Sequence, residues 1–300
     1  MIEHVETFAG TRDLQRARGG IIGLVPTLGF LHEGHSALIQ RARSECDVVT
    51  VSVFVNPLQF GEGEDLDRYP RDIERDSTIA AAAGADLVFA PALTEMFPVA
   101  PVTTVSLEAL TDTLTGKSRP GHFAGVATIV TKLFAGLQPD RAYFGRKDAQ
   151  QLAVVTRLAS DLSFPVRVVG CPIIREADGL AMSSRNTYLN DLERRAATSL
   201  SRGLMAAADA VERGTLDAET LEAIAYDAMS SEHLVEPEYA ELHDAHSVVH
   251  LNTVDRDSFL AVAGRLGETR LIDNVHFDVT DERIVVDRGI RSQQTESGQS

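Results

Sequence analysis

Residues 19–38 read GGIIGLVPTLGFLHEGHSAL. The apolar run at 20–25 is too short for a helix and predicts a buried strand, while 36–43 has helical spacing. Between them the chain turns on Gly29 and Gly34. Glycine at 29 permits a tight or crowded backbone, and at 34 a close approach near the helix start. Residues 47–55, ending VTVSVFV, supply a second strand rich in β-branched side chains. A strand, a crossover helix and another strand favour a parallel sheet covered by helices on both faces.

The same alternation continues. Helices are expected around 72–84, 122–137 and 148–158, and strands at 87–89, 141–144 and 165–169. Residues 98–105 offer another strand and 107–110 a weak helix. Near 174 the character changes: 192–213 is rich in alanine and arginine with helical spacing, 218–230 is a second helix, and 239–242, 259–262 and 269–273 make strands of a smaller α+β domain. The expected domains are therefore 1–174, 175–288 and a polar tail at 289–300 ending RSQQTESGQS.

A formal charge of −16 argues against nucleic acid and anionic membrane as partners. No apolar run is long enough to span a bilayer, and no basic-then-apolar leader opens the chain, so a cytoplasmic location is expected. Cys46 and Cys171 sit in apolar surroundings without zinc spacing and are expected as reduced, packed thiols.

Ligands of parallel sheets meet the loops beyond the strand carboxyl ends, so the polar residues there matter most. His32 and His35, three apart, share a face once the helix has begun. Amides at the helix start can receive a phosphate while the imidazoles donate to its oxygens; capping with one packed histidine is the plainer alternative, and the strand and glycines favour the anion. In FVNPLQFG, Asn56 and Gln59 suit hydroxyls, amides or carboxylates, or serve the turn itself. Arg119 in RPGHFAGVATIVTKLF can grip a carboxylate or phosphate with two bonds, and His122 can orient the loop or a substrate. Lys132 reads as a snorkelling side chain. In AYFGRKDAQQLAV, Lys147 brings a mobile cation, Asp148 caps the helix or accepts from a hydroxyl, and Gln151 lies one helical turn further. GLAMSSRN supplies Ser183, Ser184 and Arg185, either as phosphate donors or as a cap. His243, His246 and His250 resemble a metal cluster only if helical, and their interval is strand-like. Neither GxxxxGK[ST] nor GxGxxG occurs.

Taken in order, PTLGFLHEGH, FVNPLQF, RPGHFAGVATIVTKLF, GRKDAQQ, MSSRN and RLGETRLIDN resemble the signatures of the pantoate–β-alanine ligase family, over residues 20–274. The first is similar to the HIGH motif of nucleotidyltransferases. The resemblance implies a Rossmann-like nucleotidyltransferase sheet domain with a smaller C-terminal lid, a homodimer, and ATP-dependent joining of pantoate to β-alanine through a pantoyl adenylate, giving pantothenate, AMP and diphosphate. Mg²⁺ would accompany ATP, with no tightly bound organic cofactor and no assignable protein ligands for the metal. It implies an ATP site formed by Leu28, Gly29, Phe30, Leu31, His32, Glu33, Gly34, His35, Gly145, Arg146, Lys147, Asp148, Ile174, Met182, Ser183, Ser184 and Arg185. Of these, His35, His32, Lys147 and Arg185 would be catalytic. Gln59 and Gln151 would hold pantoate, Gln59 also β-alanine, with Asn56, Tyr69, Arg119 and His122 in support. Leu28 departs from the family's usual methionine but keeps its size and apolarity.

Overall fold

The computed structural model describes residues 2–281 and 283–292. Contacts divide it into two compact units: residues 1–146 with 150–171, and residues 147–149 with 172–300.

The first unit runs β1 (Glu3–Val5), α1 (Phe8–Arg18), β2 (Ile22–Thr27), α2 (Glu33–Glu45), β3 (Val48–Val53), α3 (Ile73–Ala83), β4 (Leu87–Phe89), α4 (Leu93–Met96), α5 (Leu114–Ser118), α6 (His122–Leu137), β5 (Arg141–Gly145), α7 (Ala149–Asp161) and β6 (Arg167–Cys171). The six strands form one sheet in the order β1-β4-β3-β2-β5-β6, and every pairing is parallel. This is a Rossmann-like sheet. The chain builds outward from β2 through β3 to β4, then returns to place β5 on the other side of β2. The carboxyl end of β2 is therefore a topological switch point, where a crevice opens in such sheets. β3 shows why the strands read as apolar runs: its first five residues are buried, as expected of a parallel strand covered on both faces. Leu31, Ile39, Val49, Val51, Val88 and Tyr143 form the core of that packing.

Several elements depart from the sequence reading. Residues 98–105 make no strand; Pro98 and Pro101 lack amide donors, and the Val105 amide bonds the Thr128 hydroxyl instead. No helix forms at 107–110, where Ala109 has φ 67°. β1 and α1 were not anticipated at all.

The second unit contains β7 (Ile174–Arg175), α8 (Asp191–Glu212), α9 (Ala218–Ser230), β8 (Glu236–Asp244), β9 (Ser258–Leu266), β10 (Thr269–Val279), β11 (Ile284–Asp287) and β12 (Ile290–Arg291). Four strands make an antiparallel sheet, β11-β10-β9-β8. Helices α8 and α9 cover it through Leu200, Leu204, Leu221 and Met229 against Leu260, Val262 and Phe277. α8 starts with a capping box, Asn190 with Glu193. Its small residues let α9 close in: a Cβ on Gly203 would stand 2.8 Å from the Ala225 carbonyl oxygen. The expected tail begins as ordered backbone, because Ile290–Arg291 pair in parallel with Ile174–Arg175. Its last part, 293–300, lies outside the described residues. No helix among the described residues is long and apolar enough to cross a membrane.

Candidate active site

In the first unit the motifs gather at one edge of the sheet. Thr27, the last residue of β2, pairs with Val53, the last of β3, and the Phe54 amide bonds the Thr27 carbonyl at 3.2 Å. The loops at 28–32 and 54–60 therefore leave the sheet side by side, while Gly145 ends β5 and Arg146 follows it on the other flank of β2.

The loop before α2 is held almost entirely by its own chain. Gly29 and Phe30 are both left-handed, at φ 90° and 51°. The Gly29 amide donates to Thr27 Oγ1 at 3.1 Å. The next two amides, of Phe30 and Leu31, each donate at 2.7 Å to one oxygen of the Asp76 carboxylate. Asp76 is buried on α3, and burial pushes its carboxyl up against the pull of those amides. Arg75 lies over the Phe30 ring, 4.7 Å from its centroid.

α2 then begins with an unusual capping box made of imidazoles. The Gly34 amide donates to His32 Nδ1 at 3.1 Å, and the His32 amide donates to His35 Nδ1 at 3.2 Å. A backbone N–H can only donate, so both Nδ1 atoms are acceptors and each ring carries its proton on Nε2. Of the two sequence readings, the capping one is seen directly: both imidazoles close the start of α2. The amides of Gly29 to His32 and of Gly34 are spent internally.

On the neighbouring loop, fully buried Asn56 caps a 3-10 turn at Pro57–Gln59: its Oδ1 accepts from the Leu58 amide, and its Nδ2 donates to Gly125 O and Gln59 Oε1. Arg119, expected to grip a ligand, instead closes its fork on Glu64, with Nε 2.7 Å from Oε1. Its Nη2 also donates to the Gln59 carbonyl, which accepts from His122 Nδ1 as well. Tyr69 is buried edge-on to Phe60. Of the two adjacent glutamines, Gln150 is consumed by the fold, bonding Gly116 N and the Leu110 and Thr113 carbonyls. Gln151 is half-buried.

In the second unit, Ile174 and the MSSRN segment are the two ends of a hairpin. The Met182 amide donates to the Ile174 carbonyl at 2.9 Å, Arg175 bridges to Ala181, and Gly179 turns at φ 94°. Ser183 caps a 3-10 turn at Ser184–Tyr188 by accepting from the Arg185 amide. Asn186 ties that turn to Glu176 and to the Ala181 carbonyl, and Arg194 holds Glu176 and Asp178. Below the hairpin, buried Arg175 uses all five N–H donors, on Asp273 twice and on the carbonyls of Gly179, Asn274 and Arg288. Lys147 also belongs to this unit: Asn274 Nδ2 donates to its carbonyl at 2.8 Å. Its Nζ stands 3.9 Å from Asp148 Oδ1, a long ion pair of little energetic weight.

The comparisons with known proteins cover nearly the whole of this scaffold. Residues 1–276 match the family model described as pantoate-beta-alanine ligase. The chain belongs to the pantoate–β-alanine ligase family. It is 50% identical over 279 residues to pantothenate synthetase from Heliobacterium modesticaldum, covering 93% of this chain and 99% of that protein. The crystal structure of pantothenate synthetase from Thermus thermophilus superimposes with a TM-score of 0.87 at 46% identity, covering 91% of this chain and 98% of the other. The pantoate-beta-alanine ligase of Francisella tularensis, complexed with beta-gamma ATP and beta-alanine, gives 0.75 at 30% identity, covering 91% and 97%.

Two acidic residues of this family member escaped the sequence reading, Asp76 and Glu64. Neither could be read from its neighbours alone, since the loop amides that Asp76 holds and the arginine that Glu64 holds lie 45 or more residues away. In the histidine group at 243–250, His243 and His250 are engaged by protein groups. His243 lies in β8, buried, with Nδ1 on the Val248 carbonyl and Nε2 on Glu241; His246 sits in the turn beyond; His250 bonds Glu222. Among the described residues no group of three or more His, Cys, Asp or Glu could hold a metal ion. Both cysteines are free and buried, and Lys132 Nζ lies over the Phe97 ring.

Proposed function

We propose that this ligase joins pantoate to β-alanine in two steps at the carboxyl edge of its parallel sheet. In the first, a pantoate carboxylate oxygen attacks the α-phosphorus of ATP. The new P–O bond replaces the bond to the β-phosphate, and diphosphate leaves with the electron pair. In the second, the neutral amine of β-alanine attacks the pantoyl carbonyl of the adenylate. The C–O bond to AMP breaks, and the amine proton passes to solvent or to the departing phosphate.

The observation that carries this reading is the imidazole capping box. It fixes two neutral rings with N–H donors on Nε2 at the switch point of the sheet, where negative charge on a nucleotide would develop. Lys147, Ser183, Ser184 and Arg185 suit the same charge, with Leu28 to His35, Gly145 to Asp148, Ile174 and Met182 lining the nucleotide. Gln59 and Gln151 are assigned to pantoate, and Gln59 also to β-alanine. The Francisella relative, complexed with beta-gamma ATP and beta-alanine, supports two of the three substrates. Asn56, Arg119 and His122 support the acid site through Gln59. Mg²⁺ is proposed to ride on the phosphates of ATP, with phosphate and water as its oxygen ligands. A cytoplasmic homodimer belongs to the same proposal.

The deciding assay gives purified protein ATP, Mg²⁺, pantoate and β-alanine and measures AMP and pantothenate. Both products are expected together. Omitting β-alanine should leave ATP–diphosphate exchange intact, whereas omitting pantoate should abolish it. Exchange without pantoate, or pantothenate formation without AMP, would refute the two-step route.

A further inference from the structure

Gln59 is held at both ends by bonds whose direction can be deduced. The Leu58 amide must donate, so the atom of Asn56 that it meets is Oδ1. The other arm of Asn56 is then Nδ2, which donates to Gly125 O at 3.1 Å and to Gln59 at 3.2 Å. The Gln59 atom receiving that bond is therefore Oε1, and Nε2 remains to donate. A Cβ on Gly125 would lie 2.1 Å from the Leu58 carbonyl oxygen, so only glycine lets α6 back so closely onto this turn.

The backbone of Gln59 is fixed as firmly. His122 Nδ1 lies 2.8 Å from the Gln59 carbonyl, which can only accept, so Nδ1 carries the proton and Nε2 receives the Arg119 Nη1 bond at 3.2 Å. Arg119 Nη2 reaches the same carbonyl at 3.1 Å. What orients Arg119 is the two-pronged pair with Glu64, in which the side chains are only 15% and 26% exposed.

We propose that Glu64 is a positioning residue for the organic acid: through Arg119 and His122 it fixes the Gln59 backbone, so that Gln59 presents its Nε2 donor to carboxylate or hydroxyl oxygen. This rests on the assignment of Gln59 to pantoate and β-alanine. An outward Nε2 donor suits the carboxylate of either substrate and disfavours the ammonium end of β-alanine at that atom, where N–H would meet N–H. Arg119 thereby acts through the protein's own carboxylate rather than on the substrate's.

The test compares Glu64→Ala, Glu64→Gln, Arg119→Ala and the Glu64→Ala/Arg119→Ala double variant in the full ligation assay, titrating each substrate separately. Losing a charge-assisted anchor should raise the KM for pantoate roughly tenfold and lower kcat. The KM for ATP should stay within about twofold in the same samples, which also reports that the variants are folded. Glu64→Gln keeps one acceptor for the fork and should fall between Glu64→Ala and the parent. The double variant should be no worse than Arg119→Ala, because both break one chain of bonds. Unchanged pantoate constants in Glu64→Ala, equal rises in all three KM values, or additive losses in the double variant would each overturn the inference. A parent protein that makes no pantothenate would instead overturn the assignment of Gln59, and the role of Glu64 with it.

Discussion

Asn274 donates from Nδ2 to the backbone carbonyl of Lys147, 2.8 Å away and 127 residues earlier in the chain. Asn274 is itself fixed, since its amide bonds Asp273 and its carbonyl receives Arg175. A buried ion pair thus anchors the backbone of Lys147. Replacing Asn274 with Ala removes only the side-chain donor and should cost about 1 kcal/mol of stability. ATP–diphosphate exchange should fall several-fold, and ATP saturation should shift upward with it. An Asn274→Ala protein with the parental exchange rate would show that Lys147 needs no such anchor.

Asp76 presents a different balance. Its two oxygens hold consecutive amides beneath the imidazole cap, and its carboxyl is already pushed up by burial. Asp76→Asn keeps the shape but can accept from only one of the two amides and sets N–H against the other. A raised folded pKa means that the ionised form costs stability at neutral pH, so removing the charge offsets the lost bond. The thermal midpoint should therefore change little, whereas adenylation should drop roughly tenfold or more. Parallel loss of stability and activity would mark Asp76 as a structural residue only.

For His35→Ala the expectation is a fall in adenylate formation of roughly a hundredfold, the scale for losing one donor to developing negative charge. The variant also strips the His32 amide of its acceptor, a cap worth about 1 kcal/mol. Circular dichroism should show a folded protein with a slightly lower midpoint. Parental rates of pantoyl adenylate formation would rule out His35 as a catalytic group.

Acid should unmask Glu64. Burial alone would push its carboxyl up, but the Arg119 fork and a backbone bond from Gly61 hold it at about 2, against an ordinary 4.5. Because the folded value is depressed, this stabilisation is present above pH 4.5 and is lost as the pH falls towards 2. Ionisation of Glu64 in this setting contributes on the order of 3 kcal/mol before solvent screening, since each pKa unit corresponds to about 1.4 kcal/mol. Thermal midpoints of parent and Glu64→Gln should differ at pH 6, and the gap should narrow steadily as the pH falls from 4.5 towards 2. A constant gap across that range would remove Glu64 ionisation from the account.

Much of this was legible in the chain because period and composition agree where both faces of a strand are buried. β3, VVTVSV, is an example, and the motifs follow the strands that carry them. Residues 98–105 show the limit: β-branched side chains suggested a strand, but strand pairing needs amide donors that proline lacks. α1 was missed because its sequence, FAGTRDLQRAR, has few apolar residues; it is seated by Phe8 on Phe89 and by Gln15 bonding Thr50. In the candidate site, the histidines, serines and glutamines announced themselves by type. Which of them faces a ligand and which serves the backbone depends on partners distant in sequence, as Gln150 beside Gln151 illustrates.

The imidazole cap carries one more implication, for the movement of protons. A proton arriving at Nδ1 of His32 or His35 would confront a backbone N–H, so neither ring can accept there without undoing the start of α2. These histidines are wired as fixed dipoles rather than as a relay. On the two-step route proposed here, any uptake of the amine proton would fall to groups other than these two rings.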